Sequence, residues 1–184
     1  RLPHHGAQRP QRLHPGAPWF EISSTPDDWT AASPDLLGTM LTWLHLIRAF
    51  EKTVLELAGE GLVHGPAHSS IGQEGVAVGS CISLRASDQI NGSHRAHHVF
   101  LAKSLGRLVD RLDPRLEIPA QVEALLHRTL AEIAGLAEGF CKGRGGSMHL
   151  RWTDAGVLGS NAIVGGGVPF AAGAAFAQRR SGSD

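Results

Sequence analysis

The stretch Gly165-Gly166-Gly167-Val168-Pro169-Phe170-Ala171-Ala172-Gly173-Ala174-Ala175-Phe176-Ala177-Gln178-Arg179-Arg180 reads as a glycine turn that feeds an alanine-rich helix. A glycine turn at a helix start turns unpaired backbone N–H groups outward, where an anion can meet them. It is not a dinucleotide fingerprint, because Phe170 stands where the third glycine of GxGxxG belongs, and no Walker loop occurs in the chain. The competing reading is close packing of a helix on its neighbour through small residues. At this point both stand.

Working outward from that stretch, the chain is mostly helical. Ser33-Pro34 is a helix start, with a capping serine and proline in the first turn. Leu36, Leu37, Met40, Leu41, Leu44, Ile47, Val54, Leu55 and Ala58 follow at helical spacing until Gly59 and Gly61. Residues 64–71 read as a turn-rich loop, and residues 73–84, small and apolar almost all round, as a buried helix. Gln89-Ile90-Asn91 suits a very short strand, and residues 95–105 a helix. Pro119 opens a further helix, with Val122, Leu125, Leu126, Leu130 and Ile133 on one face and Gly135 closing it. Residues 139–167 read as one long loop. Strands are so scarce that the expected architecture is the helix-rich N-terminal portion of an α/β fold, with most of the parallel sheet past residue 184. Residues 1–34, where six prolines oppose any helix, are expected to be a disordered or artefactual tail ahead of a domain over 35–184.

Composition narrows the function. In 184 residues, 17 Lys+Arg balance 17 Asp+Glu, which argues against a nucleic-acid partner recruited by bulk positive charge. Hydrophobic residues make up 42% and charged residues 18%, enough for a packed core. No apolar run approaches the ~18 residues of a membrane span, so no membrane partner is expected. Two cysteines, Cys81 and Cys141, cannot build a disulfide scaffold and suit a reducing compartment. Of 23 glycines, 12 fall between Gly135 and Gly182, so backbone there lies close to a ligand or to other backbone.

The chemistry-bearing residues cluster in His94-Arg95-Ala96-His97-His98, at a helix start where an arginine fork and partial positive charge suit a phosphate. A solvated basic face is the plainer reading. A metal reading would use His64, His68, His94, His97, His98 and His149, but HExxH and CxxC patterns are missing. No GxSxG elbow occurs; Cys81 reads as a core residue, and Cys141, beside Lys142, as a conceivable thiolate. Residue patterns thus lead to a helical, glycine-rich region of an anion-binding α/β enzyme.

Four strings in one order carry a resemblance. They are Ala67-His68-Ser69-Ser70-Ile71-Gly72-Gln73-Glu74-Gly75-Val76-Ala77-Val78-Gly79, Ser93-His94-Arg95-Ala96-His97, Gly143-Arg144-Gly145-Gly146-Ser147-Met148-His149-Leu150, and Asn161-Ala162-Ile163-Val164-Gly165 followed by Val168-Pro169. Together they resemble the alpha subunit of thiamine-diphosphate-dependent 2-oxo acid dehydrogenases, the pyruvate, branched-chain and acetoin enzymes, over residues 36–184. The connection over residues 108–119 is longer than is common there.

The resemblance implies a thiamine-diphosphate-binding fold and an oxidoreductase that decarboxylates a 2-oxo acid, or cleaves acetoin, and passes the acyl group to a lipoyl carrier. It implies that Arg95 and His94 hold the cofactor's diphosphate, His94 standing where a tyrosine is common. Backbone at Ala162 and Val164 would contact the aminopyrimidine, and the Val164 side chain would prop the bent cofactor. His68 would be catalytic, orienting the 2-oxo acid or moving protons; capping of the following helix is its plainer role. Magnesium is implied as a second cofactor, with ligands expected past residue 184 and none in this chain. The implied partners are a beta subunit, in an alpha2-beta2 heterotetramer that supplies the activating glutamate, and a lipoyl-bearing acyltransferase. The implied setting is the cytoplasm of a bacterial-type cell ahead of a mitochondrial matrix. The alternatives are a truncated, non-catalytic remnant or interaction module of that family, and a histidine-rich metal-binding protein.

Overall fold

Ser33 begins the main body of the molecule as its sequence suggests: its side chain accepts the Leu36 N–H at 3.1 Å, and Pro34 occupies the first turn. The structure, a computed structural model, describes Gly16 and residues 23–182. Contacts divide the chain into two units, Arg1–Ala32 and Ser33–Asp184. In the first unit the described residues hold a short helix, α1 (Pro26–Ala31). Its capping box joins Thr25 and Asp28, and Pro26 sits where its missing N–H has no partner to lose. The expectation of no helix in residues 1–34 is corrected there; its remainder over residues 1–15 and 17–22 lies outside the described residues.

The second unit runs α2 (Pro34–Gly59), α3 (Glu74–Cys81), β1 (Ile90–Gly92), α4 (His97–Leu108), α5 (Ala120–Ile133), a 3₁₀ turn (Thr153–Ala155), β2 (Val157–Ser160) and α6 (Gly167–Ser181). Trp43, Ile47, Phe50 and Val54 form the buried stripe of α2. They pack with Phe100, Leu101 and Leu105 of α4, Ala77, Val78 and Cys81 of α3, and Val122, Leu125 and Ile133 of α5. Each such large side chain contributes about 1.5–3 kcal/mol by leaving water. Gly135, at φ +79°, closes α5, and Gly182, at φ +72°, closes α6.

Two elements differ from the sequence expectation. Residues 73–84 are not buried all round: α3 buries Glu74, Ala77, Val78 and Cys81 but leaves Val76 73% exposed, since its outer face meets no neighbour among the described residues. Residues 139–167 are not one loop, because they contain the 3₁₀ turn and β2, which pairs in parallel with β1. Lys103, buried in α4, donates to the Arg85 carbonyl at 2.8 Å and fastens the turn that leads into β1. Among the described residues no helix is long and apolar enough to cross a membrane.

Glu74 anchors α3 to α2. Arg48 grips its carboxylate with two bonds, 2.5 and 2.9 Å, and the Gly72 N–H adds another at 3.0 Å. The Arg48 bonds hold the Glu74 carboxyl down to about 2 against its burial. A depressed carboxyl stabilises the fold above its ordinary value and loses that contribution as it is protonated. Stability should therefore fall by roughly 2–3 kcal/mol as pH drops from about 4.5 to about 2. In Glu74→Gln that acid-side loss should be largely gone, measured by urea unfolding across the same pH window.

Candidate active site

β1 and β2 run in parallel, so both carboxyl ends reach the same edge. In open α/β sheets that edge is where ligands bind. The Asn161 N–H donates to the Gly92 carbonyl at 3.2 Å and the Asn91 side-chain amide to the Gly167 carbonyl at 2.7 Å. Those bonds set Ser93-His94-Arg95, just past β1, beside Asn161-Ala162-Ile163-Val164, just past β2. Gly92 has to be glycine: a methyl group there would stand 2.5 Å from the Ala96 Cβ. Asn161 then closes a small turn by accepting the Ile163 N–H at 2.9 Å, which leaves Ala162 exposed and Val164 86% exposed. Gly166 and Gly167 serve local packing, since a methyl there would meet Ile163 at 3.0 Å or the Asn91 amide at 3.3 Å, whereas Gly165 takes φ +78°.

All five residues singled out from the sequence lie around this edge. Arg95 is exposed, donates to the Ser69 carbonyl at 2.5 Å, and has no carboxylate partner among the described residues. His94 sets its ring edge-on to His68 with centroids 5.0 Å apart. Partial burial, followed by the charges of His94, Arg95 and His97, holds the His68 imidazole below its ordinary value of 6.5. At neutral pH His68 is a neutral imidazole, able to accept a proton. It does not cap α3, whose first turn has no side-chain cap.

Beneath these residues lies a network that residue patterns did not reveal. Glu51 of α2, fully buried, accepts the Ser70 N–H at 3.0 Å and the Ser70 O–H at 2.7 Å, and meets His97 Nδ1 at 2.9 Å. His97 Nε2 lies 2.9 Å from Ser147 Oγ and 3.0 Å from the Ser147 carbonyl, and that hydroxyl accepts the His68 N–H at 3.0 Å. Burial alone pushes the Glu51 carboxyl up; His97 and the Ser70 donors reverse this and leave it below its ordinary value. The available signal was a carboxylate inside the apolar stripe of α2.

Glu132 repeats the pattern in α5. Fully buried, it accepts N–H groups from Cys141 at 2.6 Å, Gly143 at 3.0 Å, Gly145 at 2.6 Å and Gly146 at 3.3 Å. A methyl on Gly143 would run into the Gly135 carbonyl, and one on Gly145 into the His149 carbonyl. The glycine loop is therefore wrapped on a carboxylate and placed by it, and Ser147 arrives beside His97 as a result. The thiolate expectation for Cys141 is corrected: burial and the Glu132 charge push its thiol up. Among the described residues no three His, Cys, Asp or Glu side chains converge as a metal site. His97, one of the supposed metal ligands, is occupied by Glu51 and Ser147.

The sequence model of the dehydrogenase E1 component matches residues 43–184. The chain belongs to that family. It is 41% identical over 130 residues to the alpha subunit of acetoin:2,6-dichlorophenolindophenol oxidoreductase from Bacillus subtilis, covering 71% of this chain and 33% of that one. It is 34% identical over 176 residues to the alpha subunit of the pyruvate dehydrogenase E1 component from Zymomonas mobilis, covering 94% and 44%. The corresponding acetoin protein of Cupriavidus necator is 32% identical over 148 residues, covering 80% and 39%. The chain thus spans from a third to under half of the length of these curated relatives. As an E1 component chain it is helix-rich with a small parallel sheet, in line with an α/β fold.

Replacing Glu132 by alanine should leave four part-buried backbone donors without their acceptor. Unfolding by urea should show a loss of about 2–4 kcal/mol, since a donor cut off from any acceptor costs about 1–3 kcal/mol and water reaches some of these four. Leu126→Ala, at a half-buried site on the same helix, should cost less.

Proposed function

We propose that residues 35–184 form the diphosphate-side portion of a thiamine-diphosphate-dependent dehydrogenase alpha subunit. The enzyme would decarboxylate a 2-oxo acid, or cleave acetoin, and hand the acyl group to a lipoyl carrier. The observation that carries this reading is the gathering of His68, His94, Arg95, Ala162 and Val164 at one carboxyl edge of a parallel strand pair.

The residues suit the cofactor. Arg95 offers a guanidinium that no carboxylate among the described residues neutralises, and residues 162–165 are exposed just past β2. Arg95 and His94 bind and orient the diphosphate. The N–H and carbonyl groups at Ala162 and Val164 would take the aminopyrimidine, and the Val164 side chain would support the bound cofactor. When bound, thiamine diphosphate supplies a carbon nucleophile for the oxo carbon and a sink for the electron pair left as carbon dioxide departs. His68, neutral and held beside His94, orients the oxo group and exchanges a proton with it. The described residues hold no ready magnesium cluster, and no step here runs through a metal.

The relatives are alpha subunits, which supports a beta subunit as partner in an alpha2-beta2 assembly and a lipoyl-bearing acyltransferase as acceptor. Ile163, Val164, Val168, Phe170 and Phe176, all exposed along or after this edge, would be covered by such assembly. The bacterial relatives support the cytoplasm as the setting.

In the assembled enzyme, Arg95→Ala should weaken thiamine diphosphate binding about ten- to a hundredfold by calorimetry, the worth of one charge-assisted bond. His94→Tyr should leave it nearly unchanged. Unaltered affinity in Arg95→Ala would place the diphosphate elsewhere. His68→Ala should lower turnover about 10²–10⁴-fold with cofactor affinity and melting temperature little moved. Full turnover in that variant would take His68 out of the reaction.

A further inference from the structure

We infer that Glu51, His97 and Ser147 form a buried positioning device for His68. The inference rests on the proton-handling reading of His68. Loops are poor places for a catalytic side chain unless something fixes them, because a displacement of about 1 Å can cost a hundredfold in rate. The loop that carries His68 is fastened at each of three successive residues. His68 gives its N–H to Ser147 Oγ at 3.0 Å. Ser69 offers its carbonyl to Arg95 at 2.5 Å. Ser70 gives both N–H and O–H to Glu51, at 3.0 and 2.7 Å, while its hydroxyl oxygen accepts the His98 N–H at 3.2 Å.

Two of those fastenings lead back to one carboxylate. Glu51 holds Ser70 directly, and it holds His68 through the His97 ring and the Ser147 hydroxyl. The three members come from α2, the start of α4 and the glycine loop, so the position of His68 is set by rigid elements and not by its own loop. Glu51 and His97 are fully buried and Ser147 is 6% exposed, so none of them reaches a substrate. Packing alone does not call for them, since an apolar residue would fill the stripe of α2 at less cost in desolvation.

The test is a double-mutant cycle on turnover of the assembled enzyme with Ser147→Ala, His68→Ala and the double variant, repeated with Glu51→Gln in place of Ser147→Ala. Ser147→Ala should lower kcat roughly ten- to a hundredfold with KM and cofactor affinity little changed. In the His68→Ala background it should lower kcat no further, because its effect passes through His68. If the two losses multiply, or if Ser147→Ala lowers only the melting temperature, the network is structural and the inference fails. Failure of the underlying reading looks different: His68→Ala would then turn over at the wild-type rate by itself. Should Glu51→Gln fail to fold, the Ser147 cycle decides alone.

Discussion

The Glu51 carboxylate is the point from which the rest of the site is built. It lies in the apolar stripe of α2, where a charge is out of place unless every lone pair finds a donor. The donors come from three other segments: Ser70 from the loop before α3, His97 from the first turn of α4 and, beyond His97, Ser147 from the glycine loop. Sequence separations of 19, 46 and 50 residues are closed by these contacts. Apolar burial of Trp43, Ile47, Phe100 and Leu105 supplies most of the favourable free energy but does not choose a register so sharply. A buried ion network contributes little net stability, yet it penalises any arrangement that leaves one member unpaired by several kcal/mol.

Glu132 does for the glycine loop what Glu51 does for the loop of His68. Four N–H groups converge on it from residues 141–146, and the chain can wrap that tightly only where side chains are missing. Glycine at 139, 143 and 145 thus has a mechanical cause, close approach of backbone to a buried carboxylate and to neighbouring backbone. Had the loop been a phosphate cradle, its N–H groups would face outward; several of them are spent on Glu132. Arg95, on the other strand end, is an exposed cation at the edge and can supply charge for an anion through its side chain.

Features governed by neighbours in sequence were legible in advance. Ser33 and Pro34 start α2, Gly135 closes α5, and Val122, Leu125 and Ile133 lie on one buried face, because each follows from local geometry. What was misread depended on distant partners. Val157-Leu158-Gly159-Ser160 is too short and too broken by glycine to announce a strand; it becomes one by pairing with Ile90-Asn91-Gly92. The outer face of α3 was read as buried because Val76 and Gly79 are apolar or small, a property that does not say whether a neighbour exists. For the site, the strings around His68, Arg95 and Val164 were readable as a family resemblance. Glu51 and Glu132 were not, since a lone carboxylate on a helix is ordinarily solvated, and only the fold reveals that these two are enclosed.

The molecule joins a fixed underside to an open upper edge. Below the strand ends, Glu51, Ser70, His97 and Ser147 are enclosed and fully bonded. Above them Val164, Ile163, Val168 and Phe170 stand exposed, and the Arg95 guanidinium has no carboxylate partner among the described residues. An enzyme of the proposed kind needs water kept from the reacting carbon, and the apolar edge provides the means: each large side chain covered contributes about 1.5–3 kcal/mol toward association. Closure by a partner would then desolvate Arg95 and His68 together, strengthening the bond to an anionic cofactor and favouring the neutral imidazole still further. The chemistry proposed for His68 and the surface that invites a partner are in this way two consequences of one edge, held in place from beneath by a carboxylate that touches neither.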